Sequence, residues 1–115
     1  RVTLRTHVIL PRWSNRRRAD ADLGFIWDTL SADIKRHEER HAEIARNRAR
    51  QLERSLLALR PQKTCDALEA QVANTTKALL ESHDEEQAQF DRVEAANFDA
   101  RMMRLLQYKL KQKKR

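Results

Sequence analysis

Residues 27–48 read WDTLSADIKRHEERHAEIARNR, and this stretch decides the fold. Its apolar residues and histidines recur at spacings of three and four, which is typical of one face of an α-helix. Extended in both directions, the face comprises Trp27, Leu30, Ile34, His37, His41, Ile44, Arg48, Leu52, Leu56 and Leu59. Asp20 or Asp22 can cap the start, and Pro61 disfavours helix in the residue before it. The pattern therefore predicts a long helix over residues 22–60.

Residues 37–41 of this helix read HEERH, the H-E-x-x-H arrangement on which catalytic zinc sites are built. Because residues four apart lie one turn apart on the same face, the imidazoles of His37 and His41 can reach one tetrahedral ion. At about 100° per residue, Glu38 lies about 60° from His41 around the helix, whereas Glu39 points away. We therefore expect His37 and His41 to bind Zn²⁺, and Glu38 to act as the general base that activates a zinc-bound water for peptide hydrolysis.

A second helix is predicted over residues 64–108, with Thr64 as its N-cap. Its apolar face comprises Leu68, Val72, Thr75 or Thr76, Leu79, His83, Glu86, Phe90, Val93, Asn97, Met102, Leu105 and Leu106. Two long helices with a short connection are expected to fold back as an antiparallel hairpin. Arg48 on the first helix could then pair with a carboxylate of the second.

The alternation of β-branched and polar residues in Val2–Leu10 predicts a strand over residues 1–11, and a single strand needs partners to complete its hydrogen bonds. Residues 12–21 are a basic connector, and residues 109–115 form a basic tail. The expected fold is one domain, mainly α, becoming α+β if upstream strands are present.

A catalytic zinc takes three protein ligands and a water, so the second helix must supply another ligand. The candidates are His83, Glu86, Asp91 and Glu94. Counting back from a turn near residues 60–64 places the two histidines opposite residues 83–87, which favours His83 or Glu86. An offset of two helical turns would instead bring Glu94 into range.

The composition argues against several other classes of protein. The net charge is +7, but the clusters at residues 16–18 and 109–115 flank the helices without lining one face, and no nucleic-acid recognition motif accompanies them. No apolar run approaches the length of a membrane span, so we expect a soluble protein with no membrane span and no specific nucleic-acid partner. Cys65 is the only cysteine and cannot form a disulfide within this sequence.

An ordered series of residues resembles the bacterial family of predicted secreted zinc-dependent proteases. The matching residues are Leu10-Pro11-Arg12-Trp13, Trp27, Arg36 to His41 with Ile44-Ala45, Leu56 to Leu59, Thr64-Cys65 with Leu68-Glu69, and Phe90-Asp91-Arg92. The resemblance runs from the predicted strand to about residue 97. It implies a zincin-like, secreted or periplasmic zinc peptidase acting on peptides or proteins, with further N-terminal strands, one of which carries a cysteine able to pair with Cys65.

The resemblance also bears on the third ligand. The family has Tyr-Asp-x-x-Thr-x-His-Gly where this chain has residues 90–97, so the family's His falls on Ala96 and its Thr on Glu94. We interpret Glu94 as a replacement ligand, as in the Glu-zincins, with Asp91 or Asp99 orienting the ligand histidines. The rival interpretation is an inactive member that has lost its third ligand and serves as a non-catalytic helical-hairpin module for protein interaction.

Overall fold

The computed structural model describes residues 1–113 and is mainly helical, as predicted. After a 3₁₀ turn at Arg16–Arg18, the chain forms α1 (Ala21–Leu57), α2 (Cys65–Ala96) and α3 (Phe98–Lys113). None of these helices is both long enough and apolar enough to cross a membrane. Residues 114 and 115 of the predicted basic tail lie outside the described residues.

The start of each long helix follows the predicted capping. The carboxylate of Asp20 accepts a hydrogen bond from the Leu23 amide at 2.8 Å, and the hydroxyl of Thr64 accepts one from the Ala67 amide at 3.0 Å. Each cap satisfies an amide that has no partner within its helix. The end of α1 lies at Leu57, three residues before the predicted boundary at residue 60. Cys65 is the first residue of α2, and its thiol is exposed.

The second predicted helix is divided at Asn97. The side-chain amide of Asn97 donates to the carbonyl oxygen of Val93 at 3.0 Å, and its backbone amide donates to the same oxygen at 3.2 Å. A side chain that competes for a helix carbonyl weakens the regular ladder, so α2 ends at Ala96 and α3 begins at Phe98. The sequence pattern missed this break because the apolar spacing continues across it.

The strand predicted for residues 1–11 is not formed, and no strand occurs anywhere in the described chain. The backbone amide of Val2 donates instead to a side-chain oxygen of Glu53 at 2.8 Å, and most of residues 1–10 are exposed. The alternating pattern was real, but a strand requires a neighbouring strand to complete its hydrogen bonds, and this segment has none.

The chain divides into two compact units, which we name the turn unit (residues 1–7 and 41–90) and the end unit (residues 8–40 and the chain from 91 onward). In the turn unit, parts of α1 and α2 run antiparallel on either side of the connection at residues 58–64. Ile44 is its buried core residue, at 2% exposure. Arg48 donates through Nε to Glu86 at 2.8 Å, which confirms the predicted pairing of Arg48 with a carboxylate of the second helix.

The end unit combines the first half of α1 with the end of α2 and α3. Its most buried side chains are polar, namely Thr29 at 1% exposure and Asp33 at 6%. The hydroxyl of Thr29 donates to the carbonyl of Phe25 at 3.0 Å. Trp13 and Trp27 pack edge to face with ring centroids 5.7 Å apart, consistent with packing anchors. A buried carboxylate needs hydrogen-bond partners, and the partners of Asp33 are also residues of the candidate site.

Candidate metal centre

His37 lies on the wall of a cavity of about 480 Å³ in the end unit, a volume typical of a small-ligand site. Glu38 and Asp91 line the same cavity, together with the apolar side chains of Ile34 and Phe98. The HExxH motif of α1 therefore presents its first histidine and its glutamate to one space.

The imidazole of His37 has a carboxylate against each ring nitrogen. Nδ1 lies 3.1 Å from Oε1 of Glu94, and Nε2 lies 2.9 Å from Oδ1 of Asp91. A neutral imidazole can donate from only one nitrogen. A neutral imidazole therefore cannot donate to both carboxylates, and a cation shared by Nε2 and Asp91 would satisfy the second contact. The separation of 2.9 Å is close to the roughly 3.4 Å between two ligand atoms of a tetrahedral ion with bonds of about 2.1 Å.

Glu94 is held by two arginines as well as by His37. One carboxylate oxygen, Oε1, accepts a short hydrogen bond from Arg36, and the other, Oε2, lies 3.2 Å from Nη1 of Arg101. Partial burial by itself raises the pKa of the Glu94 carboxyl, but the hydrogen bonds from Arg36 and His37 and the nearby guanidinium charges outweigh it and lower that pKa. Glu94 is therefore a fixed anion whose oxygens already have partners.

The two arginines are themselves tied to buried Asp33. Arg101 donates through Nε to Oδ1 of Asp33 at 2.9 Å, and Arg36 donates to the same oxygen at 3.2 Å. Arg101 also donates to the backbone carbonyl of Glu94 at 3.3 Å. The side chains of Asp33 and Arg101 are only 5% and 13% exposed, so this ion pair is shielded from solvent.

His41 has its own partner in the turn unit. The side-chain nitrogen of Gln87 donates to the backbone carbonyl of His41 at 2.9 Å, which fixes the orientation of the amide. Its oxygen then accepts a hydrogen bond from Nδ1 of His41. The ring of Phe90 packs edge to face on the imidazole, with centroids 5.0 Å apart. The hydrogen bond and the ring contact together restrict the orientation of the imidazole.

Three of the predicted residues are of the types that bind a metal ion, namely His37, His41 and Asp91. His37 and His41 lie one turn apart on α1, and within the end unit Nε2 of His37 lies 2.9 Å from Oδ1 of Asp91. Two imidazoles and one carboxylate, with room for a water, are a donor set that catalytic zinc sites use. The residues present therefore fit Zn²⁺.

The other residues considered for the site have different surroundings. Nδ1 of His83 lies 3.0 Å from the carboxylate of Asp84, and its Nε2 lies 3.2 Å from the Gln87 amide. Glu86 pairs with Arg48, and Asp99 is exposed in the first turn of α3. His41 faces Gln87 and His37 faces Asp91, about one helical turn further along α2 than an equal hairpin predicts. This shift is why the count from the turn favoured His83 and Glu86.

Sequence reasoning missed four residues around the site: Asp33, Arg36, Gln87 and Arg101. The three charged residues look like ordinary surface charges in a chain that is 36% charged, and Gln87 belongs to no motif. One signal was available for Asp33, which precedes Ile34 at the edge of the apolar face of α1. No comparable signal marked Arg101.

Residues 1–98 match the family described as bacterial protein of unknown function (DUF922). The chain belongs to this family. The match covers α1, α2 and the first residue of α3, and therefore includes the whole HExxH motif and Asp91 and Glu94. Neither the curated proteins nor the solved structures include a match to the chain. The description of the DUF922 family names no activity, so the function has to be argued from the site.

Replacing Gln87 with Met is expected to weaken zinc binding by about 10- to 100-fold, the usual cost of removing a group that orients a ligand histidine. The thioether fills similar space but offers only a weak acceptor to Nδ1 of His41, so the hydrogen bond that orients the imidazole is lost. Competition with a chromophoric chelator measures the zinc Kd. Gln71→Met, on an exposed position of the same helix, is the matched control and should leave the Kd unchanged. Equal Kd values for the two variants would contradict the role of Gln87.

Proposed function

We propose that this chain is a zinc-dependent peptidase, with Zn²⁺ as its cofactor. The observation that carries the proposal is His37 of the HExxH motif beside Asp91, with Glu38 lining the cavity that His37 and Asp91 share, and His41 one turn further along α1. The carboxylate of Asp91 beside the motif, and an oxygen acceptor against Nδ1 of each histidine, support the proposal.

In this proposal His37 and His41 hold the ion through Nε2, because Nδ1 of His37 faces Glu94 and Nδ1 of His41 donates to Gln87. Asp91 supplies the third ligand, the role that the family resemblance assigned to Glu94. Glu94 orients His37, since its oxygens are occupied by Arg36, Arg101 and the imidazole. A carboxylate that accepts from the second nitrogen of a ligand histidine also raises the basicity of that ligand.

When bound, zinc would polarise the scissile carbonyl and lower the pKa of a water molecule in the cavity. Glu38 follows His37 directly on α1, and its side chain is half-buried in the cavity wall. Its carboxylate accepts the proton of the attacking water and then delivers it to the departing amine. Ile34 and Phe98 give the cavity an apolar side that suits a side chain of a peptide substrate.

The resemblance to secreted zinc proteases supports further parts of the proposal. It favours a location outside the cytoplasm, in the periplasm or beyond the cell, with peptides or proteins as substrates. It also includes a zincin-like arrangement in which residues 2–10, which alternate in hydrophobicity, pair with strands from elsewhere. A disulfide from Cys65 to a cysteine outside this sequence belongs to the same proposal.

A second candidate function, a non-catalytic helical-hairpin module, is favoured by the apolar surface of α2. Leu68, Val72, Leu80 and Val93 are each between 37% and 53% exposed, and no residue of α2 is buried. An exposed apolar face can bind a partner protein. On this alternative the histidines only pack between the helices, and removing metal changes nothing.

Metal content and chelation distinguish the two functions. We expect about one zinc per chain after purification without a metal-affinity tag, and a melting temperature that a chelator lowers by about 10–20 °C, because metal bound only to the folded chain contributes about 4 kcal/mol at 1,000 times its Kd. Hydrolysis of a fluorogenic peptide mixture should stop with chelator and return with zinc. His41→Ala should lose the metal, whereas His7→Ala, an exposed histidine, should keep it. A native chain that binds no zinc when titrated with it would refute the peptidase.

A further inference from the structure

We infer that Arg101 is a positioning residue of the zinc site, acting through Glu94 on His37. This inference rests on the proposed function, because it assigns a role in binding the same ion. Arg101 lies beyond residue 98, where the DUF922 match ends, so neither the family nor the HExxH motif points to it.

The guanidinium of Arg101 connects Glu94 on α2 with Asp33 on α1. Nη1 of Arg101 donates both to Oε2 and to the backbone carbonyl of Glu94, at 3.2 and 3.3 Å. These two bonds hold the Glu94 side chain against the backbone of its own helical turn. Nε reaches Asp33 on α1 at 2.9 Å. Since a guanidinium is planar, these bonds also fix the position of Glu94 relative to α1.

The effect continues from Glu94 to the ligand. Oε1 of Glu94 lies 3.1 Å from Nδ1 of His37. While Oε2 is held by Arg101, the carboxylate cannot rotate away from the imidazole, so His37 keeps the orientation in which Nε2 faces Asp91. Arg36 alone would not fix this geometry, because its side chain is 46% exposed compared with 13% for Arg101.

Arg101 lies in the first turn of α3, directly after the helix break at Asn97. The Arg101 amide donates to the carbonyl of Asn97 at 2.9 Å, which starts the first turn of α3. Its side chain also packs against the ring of Phe98, with the guanidinium carbon 5.6 Å from the ring centroid. The first turn of α3 therefore positions the Arg101 guanidinium beside Glu94.

The test measures the zinc Kd and the Nδ1–H proton of His37 by NMR in the zinc-bound protein, for Arg101→Gln and Arg101→Lys. We expect Arg101→Gln to raise the Kd by about 10-fold or more and to broaden or remove the Nδ1–H signal, as expected when a group that orients a ligand histidine is lost. For Arg101→Lys, the Kd and the Nδ1–H signal should lie between those of Arg101→Gln and those of the native chain. An ammonium keeps the charge but cannot make the same set of directed hydrogen bonds as the guanidinium. Leu106→Ala, a half-buried change further along α3, controls for general destabilisation and should leave both readouts native.

The inference is overturned if Arg101→Gln has the same Kd and the same Nδ1–H signal as Leu106→Ala. If Arg101→Gln does not fold, Arg101→Lys decides, and a native Kd with a native signal in that variant overturns the inference. Either result leaves zinc binding and hydrolysis by the native chain intact. A native chain without zinc affinity overturns the proposed function and this inference together, so the two failures are distinguishable.

Discussion

Replacing Glu38 with Gln is expected to lower kcat/KM for peptide hydrolysis by about 1,000-fold, within the range that a general base contributes. The amide has nearly the same size and still fits the cavity wall, but it cannot accept a proton from water at neutral pH. Since Glu38 is not a ligand in the proposed site, the variant should still bind about one zinc per chain. Hydrolysis rates and metal content measured on the same preparation test both statements.

Glu39→Gln is the matched control for this prediction. Glu39 follows Glu38 on α1, but it is exposed and lies on a different side of the helix from His41. Its Oε1 atom lies 3.9 Å from Nζ of Lys35. The same chemical change there should leave hydrolysis and zinc content at native values. Chelator-sensitive hydrolysis that survives Glu38→Gln would mean that another group accepts the proton, and Glu38 would lose its assigned role.

Replacing Asp91 with Ala is expected to weaken zinc binding by about 1,000-fold, because it removes one of the few ligands that share a binding free energy of about 10–16 kcal/mol. Glu94→Gln should weaken it by only about 10- to 100-fold, since the residue orients His37 without touching the ion. The zinc Kd of each variant, measured by competition with a chelator, shows which substitution weakens zinc binding more. The family resemblance favours the opposite order, with Glu94 as the ligand.

Asp84→Ala is the control for the loss of one negative charge from α2. Asp84 is exposed and lies beside His83, away from the proposed ligands, so its removal should leave the zinc Kd near the native value. A larger loss of affinity in Glu94→Gln than in Asp91→Ala would exchange the two roles. In that case Glu94 would have to leave Arg36 and Arg101 in order to reach the ion.

Local physics explains which parts of the fold were predictable. The spacing of apolar residues gave α1 and most of α2, and the caps at Asp20 and Thr64 were correct because a cap depends on residues within one turn. The strand over residues 1–11 is not formed in the described chain, because a strand depends on a partner that no local pattern supplies. The break at Asn97 was missed because it arises from one side chain bonding to a helix carbonyl within an unbroken apolar pattern.

The sequence by itself determined that His37 and His41 share one face of a helix with Glu38 beside them, because the helical repeat fixes which residues are neighbours. It also determined membership of the DUF922 family, since the match depends on residue order. Only the tertiary structure decided what faces those histidines: Gln87 against His41, and Asp91 and Glu94 against His37. A shift of one turn along α2 changes every such pair, and no rule of local spacing sets that shift. The role of Arg101 likewise became visible only when packing brought it against Asp33, 68 residues away in the chain.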